Sequence, residues 1–230
     1  MPENVSALQL VLAGDPALFA IVRLSLIVSL SAVLLAALIG LPLGAWLALA
    51  RFRGREGCIV VLNALMGLPP VVVGLMVFLL LSRSGPLGSW GILFTPQAMV
   101  IAQTILVTPI IAALSRQTIE DLWLEYRDEL IAMEVGLLRR LTTLVWDARF
   151  SLITALLAGF GRAAAEVGAV IIVGGNIEGF TRTMTTAIAL ETSKGNLPLA
   201  IGLGVVLVAI VLAINGLAWA LRRAAERLAG

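Results

Sequence analysis

The chain has 230 residues, 60% of them hydrophobic and only 13% charged, with a mean hydropathy of +1.05 and a formal net charge of +2. Those values lie outside the range of water-soluble globular domains and put the protein in a membrane. With no histidine anywhere, His-based acid–base catalysis and His ligation of metal or haem are excluded; the single cysteine, Cys58, excludes an intramolecular disulfide and a CxxC metal site.

The N-terminal stretch MPENVSALQLVLAGDPALFA has no basic head and carries Glu3 and Asp15. It reads as a short amphipathic or interfacial lead-in and not as a cleaved signal peptide. No residue between Arg23 and Arg51 is charged, which predicts a first span over about 20–50. The charge-free runs Gly57–Ser82 and Ser84–Ser115 predict a second span at about 57–82 and a third at about 94–115. Each run exceeds the roughly 20 residues that cross a bilayer. Cys58 is expected to be a small packing residue at a span end. Prolines and glycines punctuate these spans in GLPLG (40–44), GLPPVVVG (67–74) and LVTPI (106–110). Pro69 and Pro70 remove two adjacent donors in the middle of span 2, which predicts a packing kink or a hinge that shapes a cavity.

Residues 116–149 hold 12 of the chain's 30 charges. Leu130, Met133, Leu137, Leu141 and Leu144 recur at steps of three and four, which puts them in one apolar row along a helix, with Asp128 and Arg139 opposite and Gly136 as a bend or end. Such a face must be covered by the span ends or by a second protein; the pattern alone favours packing within the chain.

A fourth span is predicted at about 150–175, interrupted by Arg162 and Glu166. On one continuous helix from Phe150 they would lie roughly 18 and 24 Å along the axis, near the midplane. An isolated charge there costs roughly 3 kcal/mol or more, so the two are expected to face the bundle interior, a wet path or each other. Two readings stay open: an ion pair that fixes span 4, and an Arg162 that lines a pathway with Glu166 tempering its hold on an anion. Gly174, Gly175 and Asn176, followed by Thr181, Arg182 and Thr183, fit either an anion cradle or a turn at a helix C-terminus. A fifth span is predicted at about 195–221.

Arg51, Arg53, Arg55, then Arg116, Arg127, Arg139, Arg140, Arg149, and finally Arg222, Arg223, Arg227 put 11 of the 16 basic residues on one side. That side is expected to be cytoplasmic, with the N-terminus and the 83–95 and 176–194 loops outside. The fold expected is therefore all-α and polytopic: a single transmembrane domain over 1–230, five transmembrane helices, N-terminus out and C-terminus in. No GxxxxGK[ST] loop is present, so this chain is not expected to bind ATP, and its scattered basic residues give no support for nucleic-acid binding. A channel or an ion-coupled transporter usually needs a filter or intramembrane carboxylates, and Glu166, one turn from an arginine, is the only acid inside a predicted span.

The run GFGRAAAEVGAVIIVGGNIEGFTRTMTTAIALETSKG, with GLPPVVVGL, SRSGPLG and FTPQAMVIAQ in order before it, resembles the membrane permeases of oxyanion ABC importers, those for tungstate above the molybdate and sulfate types. The similarity extends from about Gly40 to Leu212. It implies a homodimer lining one pathway, two cytoplasmic ATPase subunits that use ATP and Mg, an extracytoplasmic solute-binding protein, and a prokaryotic plasma membrane with lipid around the spans. No cofactor bound by this chain is implied. The resemblance also implies an ATPase-coupling helix between spans 3 and 4, marked by Glu-Ala-Ala with a glycine four residues after the second alanine. Ala132 and Gly136 match that pattern; Leu130 and Ile131 stand in place of the Glu and first Ala, with Glu129 one residue early. The coupling residues so implied are Glu129, Ala132, Met133, Gly136 and Leu137, and those of a pathway or gate are Pro69, Pro70, Arg162, Glu166, Gly174, Gly175, Asn176, Thr181, Arg182 and Thr183.

Overall fold

The computed structural model describes residues 16–229, so the expected N-terminal lead-in lies almost wholly outside the described residues. Among the described residues all regular structure is helical: α1 (Pro16–Leu49), α2 (Arg55–Met66), α3 (Pro70–Leu81), a 3-10 turn (Gly88–Trp90), α4 (Pro96–Ala132), α5 (Leu137–Asp147), α6 (Arg149–Ala164), α7 (Gly168–Gly174), α8 (Met184–Ser193) and α9 (Leu197–Ala229). The helices α1, α4 and α9 are each long and apolar enough to cross a membrane, and the count reaches five if the bent pairs α2–α3 and α5–α6 are each one span.

Three expected spans differ from the structure in instructive ways. Span 2 is not one kinked helix: α2 stops at Met66 and α3 restarts with Pro70 as its first residue. Leu68 and Pro69 each precede a proline, which bars them from the helical region, and Pro69 is accordingly extended at φ −64°, ψ 121°. Span 3 does not end near residue 115. It continues as α4 through Pro109 to Ala132, so the first half of the expected cytoplasmic segment is the same helix prolonged. Span 4 is not continuous either, because α6 ends at Ala164 and α7 begins at Gly168.

The expected apolar row also divides. After Ala132 the chain turns, with Glu134 in the left-handed region at φ 52° and the Val135 N–H donating to the Leu130 carbonyl at 3.3 Å. Gly136 then caps the start of α5, and α5 meets α6 at a 72° bend. The turn breaks the periodicity. Leu130, Leu141 and Leu144 pack with Ala45, Ala48, Ile119 and Leu152, whereas Met133 is 73% and Leu137 52% exposed. Cys58 is exposed on α2 and is not a packing residue.

The residues group into two compact units, with α1, α4 and α6 each contributing to both. In the unit formed by Val33–Leu68 and Thr104–Phe160, the glycines of GLPLG let α1 lie directly on α4. A Cβ on Gly44 would sit 2.3 Å from the Ala112 carbonyl oxygen, and one on Gly40 3.0 Å from that of Thr108. This is the small-xxx-small packing by which spanning helices approach in lipid, where no hydrophobic force between helices is available. At the end of α1, Arg55 donates to the Leu47 and Ala48 carbonyls at 3.0 and 3.3 Å and to Glu120 at 2.7 Å. It thus satisfies two of the four carbonyls that a helix end leaves without partners, and Glu120 also pairs with Arg116.

In the other unit, up to Ala32, Pro69–Gln103 and from Gly161 on, the short helices α3 and α7 are the tightest pair. A Cβ on Gly74 would meet the Ala169 Cα at 2.8 Å. Leu18 of α1, Ala187 of α8 and Leu203 of α9 form a second apolar cluster of that unit.

Candidate functional site

The break between α6 and α7 frees backbone groups inside an apolar layer, and polar side chains have to meet them. The Ala163 carbonyl accepts from Gln103 Nε2 at 3.0 Å and from the Glu166 N–H at 3.2 Å. The Glu166 carbonyl accepts from Thr185 Oγ1 at 2.8 Å. One Glu166 carboxylate oxygen accepts from the Ala169 N–H at 3.0 Å, which fixes the start of α7; the other lies 3.0 Å from Arg162 Nη1.

The pair is therefore asymmetric. Glu166 is 3% exposed and wholly engaged within the chain, while the Arg162 side chain keeps 31% exposure. A buried carboxylate needs both its cation and its hydrogen bonds to offset desolvation. Arg162 is thus held by Glu166 while its side chain stays partly exposed. Pro69 and Pro70 open α3 beside this point: a Cβ on Gly168, the first residue of α7, would touch Val71 Cγ2 at 3.0 Å.

The glycine-rich segment forms a helix stop with close packing. Gly175 takes the left-handed conformation at φ 72° and donates to the Ile171 carbonyl at 3.0 Å, ending α7, and Asn176 follows at φ 49°. A Cβ on Gly174 would lie 2.9 Å from Met99 Sδ. Thr181 is fully buried, its hydroxyl donating to the Gly174 carbonyl at 2.6 Å and accepting from the Ile177 N–H at 2.9 Å. Thr183 forms a capping box with Thr186 at the start of α8. The Thr181 and Thr183 hydroxyls are committed to hydrogen bonds within the fold. Asn176 and Arg182 keep polar atoms without protein partners, Oδ1 and Nε respectively.

Arg182 lines a cleft of about 320 Å³ with Glu178, Glu191 and Lys194. Glu191 is gripped by Lys194 at 2.8 Å and by Asn196 at 3.1 Å. The Lys194 hydrogen bond holds the Glu191 carboxyl below the usual glutamate range against the opposing pull of burial, with Asn196 and Arg182 adding to it. A depressed pKa stabilises the folded state above the unfolded value, near 4.3, and that support is lost as pH falls through the lower folded value. Thermal melts are expected to show an acid-side loss of stability below about pH 4 that shrinks in Glu191→Gln; identical wild-type and variant profiles would contradict this.

Gln103, Ser25 and Thr185 make hydrogen bonds across the fold that the pattern of charges does not reveal. Ser25 Oγ accepts from the Met184 N–H at 2.8 Å and donates to the Ile21 carbonyl at 2.9 Å. For Ser25 and Gln103 the signal in the sequence is a polar residue inside a charge-free run; Thr185 lies in an expected outer loop, where a hydroxyl does not stand out.

No family model matches the chain. Individual relatives do. It is 44% identical to a "Probable anion ABC transporter permease protein" of Haloferax volcanii, over 87% of this chain and 88% of that one. The chain belongs to the oxyanion ABC transporter permeases. The permease is also 39% identical to the "Tungstate uptake system permease protein TupB" of Peptoclostridium acidaminophilum, over 94% of its own length and 95% of that protein's. With the "Molybdenum transport system permease protein ModB" of Azotobacter vinelandii it shares 32% identity over 74% of its length and 78% of the relative's. The permease is a multi-pass protein of a prokaryotic plasma membrane.

Proposed function

We propose that the permease carries a tetrahedral oxyanion inward, tungstate in preference to molybdate or sulfate, as a homodimer powered by two cytoplasmic ABC ATPase subunits and supplied by an extracytoplasmic solute-binding protein. The observation that carries this reading is the similarity along almost the whole chain to a permease named for tungstate uptake. ATP and Mg belong to the partner ATPase, and this chain binds no cofactor. The two bent helix pairs count as spans in this reading, giving five, with the N-terminus outside. Arg162, steadied by Glu166 and set beside the break at Pro69 and Pro70, offers the anion passing attraction, and the movement of ATPase subunits opens and closes the path.

Uptake into vesicles that contain the assembled transporter tests it. Tungstate is expected to accumulate with ATP at the ATPase face and binding protein at the other, and to outcompete molybdate and sulfate. Accumulation without ATP would instead favour a channel or secondary transporter. Preference for sulfate would overturn the choice of anion.

The ATPase subunits dock, in this reading, at the turn between α4 and α5. Ile131, Met133, Leu137 and Leu138 present an exposed apolar surface around Gly136, with Glu129 and Ala132 beside them. An apolar face that the chain does not cover is what a partner needs. A Cβ on Gly136 would meet nothing within 4 Å and its φ of −67° suits any residue, so Gly136→Glu leaves the permease itself folded. That variant is expected to be made at the wild-type level and to lose co-purification of the ATPase; an intact complex with normal uptake would contradict the docking site.

A further inference from the structure

An open apolar cleft of about 560 Å³ lies between the second half of α1 and the α5–α6 corner, lined by Leu41, Ala45, Val145, Ile153 and Leu156, with Trp146 and Arg149 at its polar end. Leu41 and Ala45 belong to the charge-free run that ends at Arg51, and Ile153 and Leu156 to the run that starts after Arg149. At about 1.5 Å per residue the cleft reaches roughly 10 Å into the apolar layer from its charged edge. It therefore opens at the depth where acyl chains meet headgroups, which a water-soluble protein does not reach.

Arg149 marks that edge. Its guanidinium lies 4.7 Å from the centre of the Trp146 ring and 4.5 Å from that of Phe150, and Nη1 donates to the Trp146 carbonyl at 2.7 Å. None of the ion pairs found among the described residues involves Arg149. Trp146 is 68% exposed, an indole at the boundary where amphipathic rings settle.

We propose that this cleft binds an anionic phospholipid, one acyl chain along the apolar lining and the headgroup phosphate on Arg149. The shape accepts a chain, the rim supplies one uncompensated cation, and basic pockets between helices at a membrane face suit acidic headgroups. The site needs only membrane residence and is independent of what the permease transports.

The test uses the full chain in vesicles of equal parts phosphatidylcholine and phosphatidylglycerol, with bromine on the acyl chains of one lipid or the other. The Trp146 signal is taken as the difference between the protein and Trp146→Phe, since the chain has five tryptophans. One cation near the surface corresponds to about fivefold enrichment of an acidic lipid, so brominated phosphatidylglycerol is expected to quench Trp146 more strongly than brominated phosphatidylcholine. The preference should persist in Arg149→Lys and vanish in Arg149→Gln, and Ile153→Phe, which fills the cleft, should reduce quenching by both lipids. Equal quenching by the two lipids overturns the proposal. So does quenching by neither, which would mean that protein, a second copy included, covers the cleft.

Discussion

Gly44→Ala, a change of one methyl group, is expected to lower the yield of folded protein and its thermal midpoint substantially. The added Cβ would stand 2.3 Å from the Ala112 carbonyl oxygen, 2.9 Å from the Arg116 nitrogen and 2.9 Å from the Ser115 Cβ. Two of these are backbone atoms of α4, so no rotamer relieves the contact and the helix itself has to move. That motion would stretch the bond from Ser115 Oγ to the Leu41 carbonyl, 3.3 Å, and disturb Arg116, which shares Glu120 with Arg55. Overpacking costs about 1–3 kcal/mol where side chains can adjust, and more is expected where two backbones meet. Against a total stability of about 5–15 kcal/mol this is a large fraction. Gly40→Ala, with contacts of 3.0–3.2 Å, should be milder. Gly204→Ala, with nothing within 4 Å, should be neutral or slightly stabilising. Yield of the monodisperse protein and its thermal midpoint measure the series; Gly44→Ala melting together with Gly204→Ala would contradict the α1–α4 packing.

Composition carried the broad class, because only a membrane tolerates charge-free runs as long as Arg23 to Arg51, and the long helices α1, α4 and α9 lie where those runs do. Hydropathy cannot report where a helix breaks. An apolar run looks the same whether it is one rod or two, so Ala165–Val167 passed unseen in the fourth span even though Gly161, Gly168 and Glu166 stood around it. Pro69 and Pro70 did announce trouble, but the rule that each proline also bars its predecessor from the helix makes the pair a stop and a restart. The periodic leucines of 130–144 misled for the opposite reason. Their spacing continues across the turn at Met133–Gly136, while the surface they cover does not. In the candidate site the charged pair was legible because charge is rare there; Gln103, Ser25 and Thr185 were not, since a lone amide or hydroxyl costs little to place on a helix and its role depends on which distant carbonyl lacks a partner.

Arg162→Ala is expected to reduce uptake about 10- to 100-fold, the range given by losing a charged hydrogen bond of about 1.5–3 kcal/mol to a passing anion. On its own the variant conflates two losses. It would leave the Glu166 carboxylate, 3% exposed, with the Ala169 N–H as its remaining direct partner, and orphaning one member of a buried pair costs about 3–5 kcal/mol. The amount of folded complex should therefore fall too, though less than uptake. The pair of substitutions Arg162→Ala with Glu166→Gln separates the terms. Glutamine keeps an acceptor for the Ala169 N–H and carries no charge to strand, so the double variant is expected to accumulate close to the wild-type level and still transport poorly. Arg162→Lys should fall between, since it retains the charge without the planar fork that could engage Glu166 and an oxyanion together. If the double variant transports normally, Arg162 serves only to fix the break between α6 and α7. If it stays folded and slow, Arg162 acts on the anion, and Glu166 acts through Arg162 by holding it at that depth.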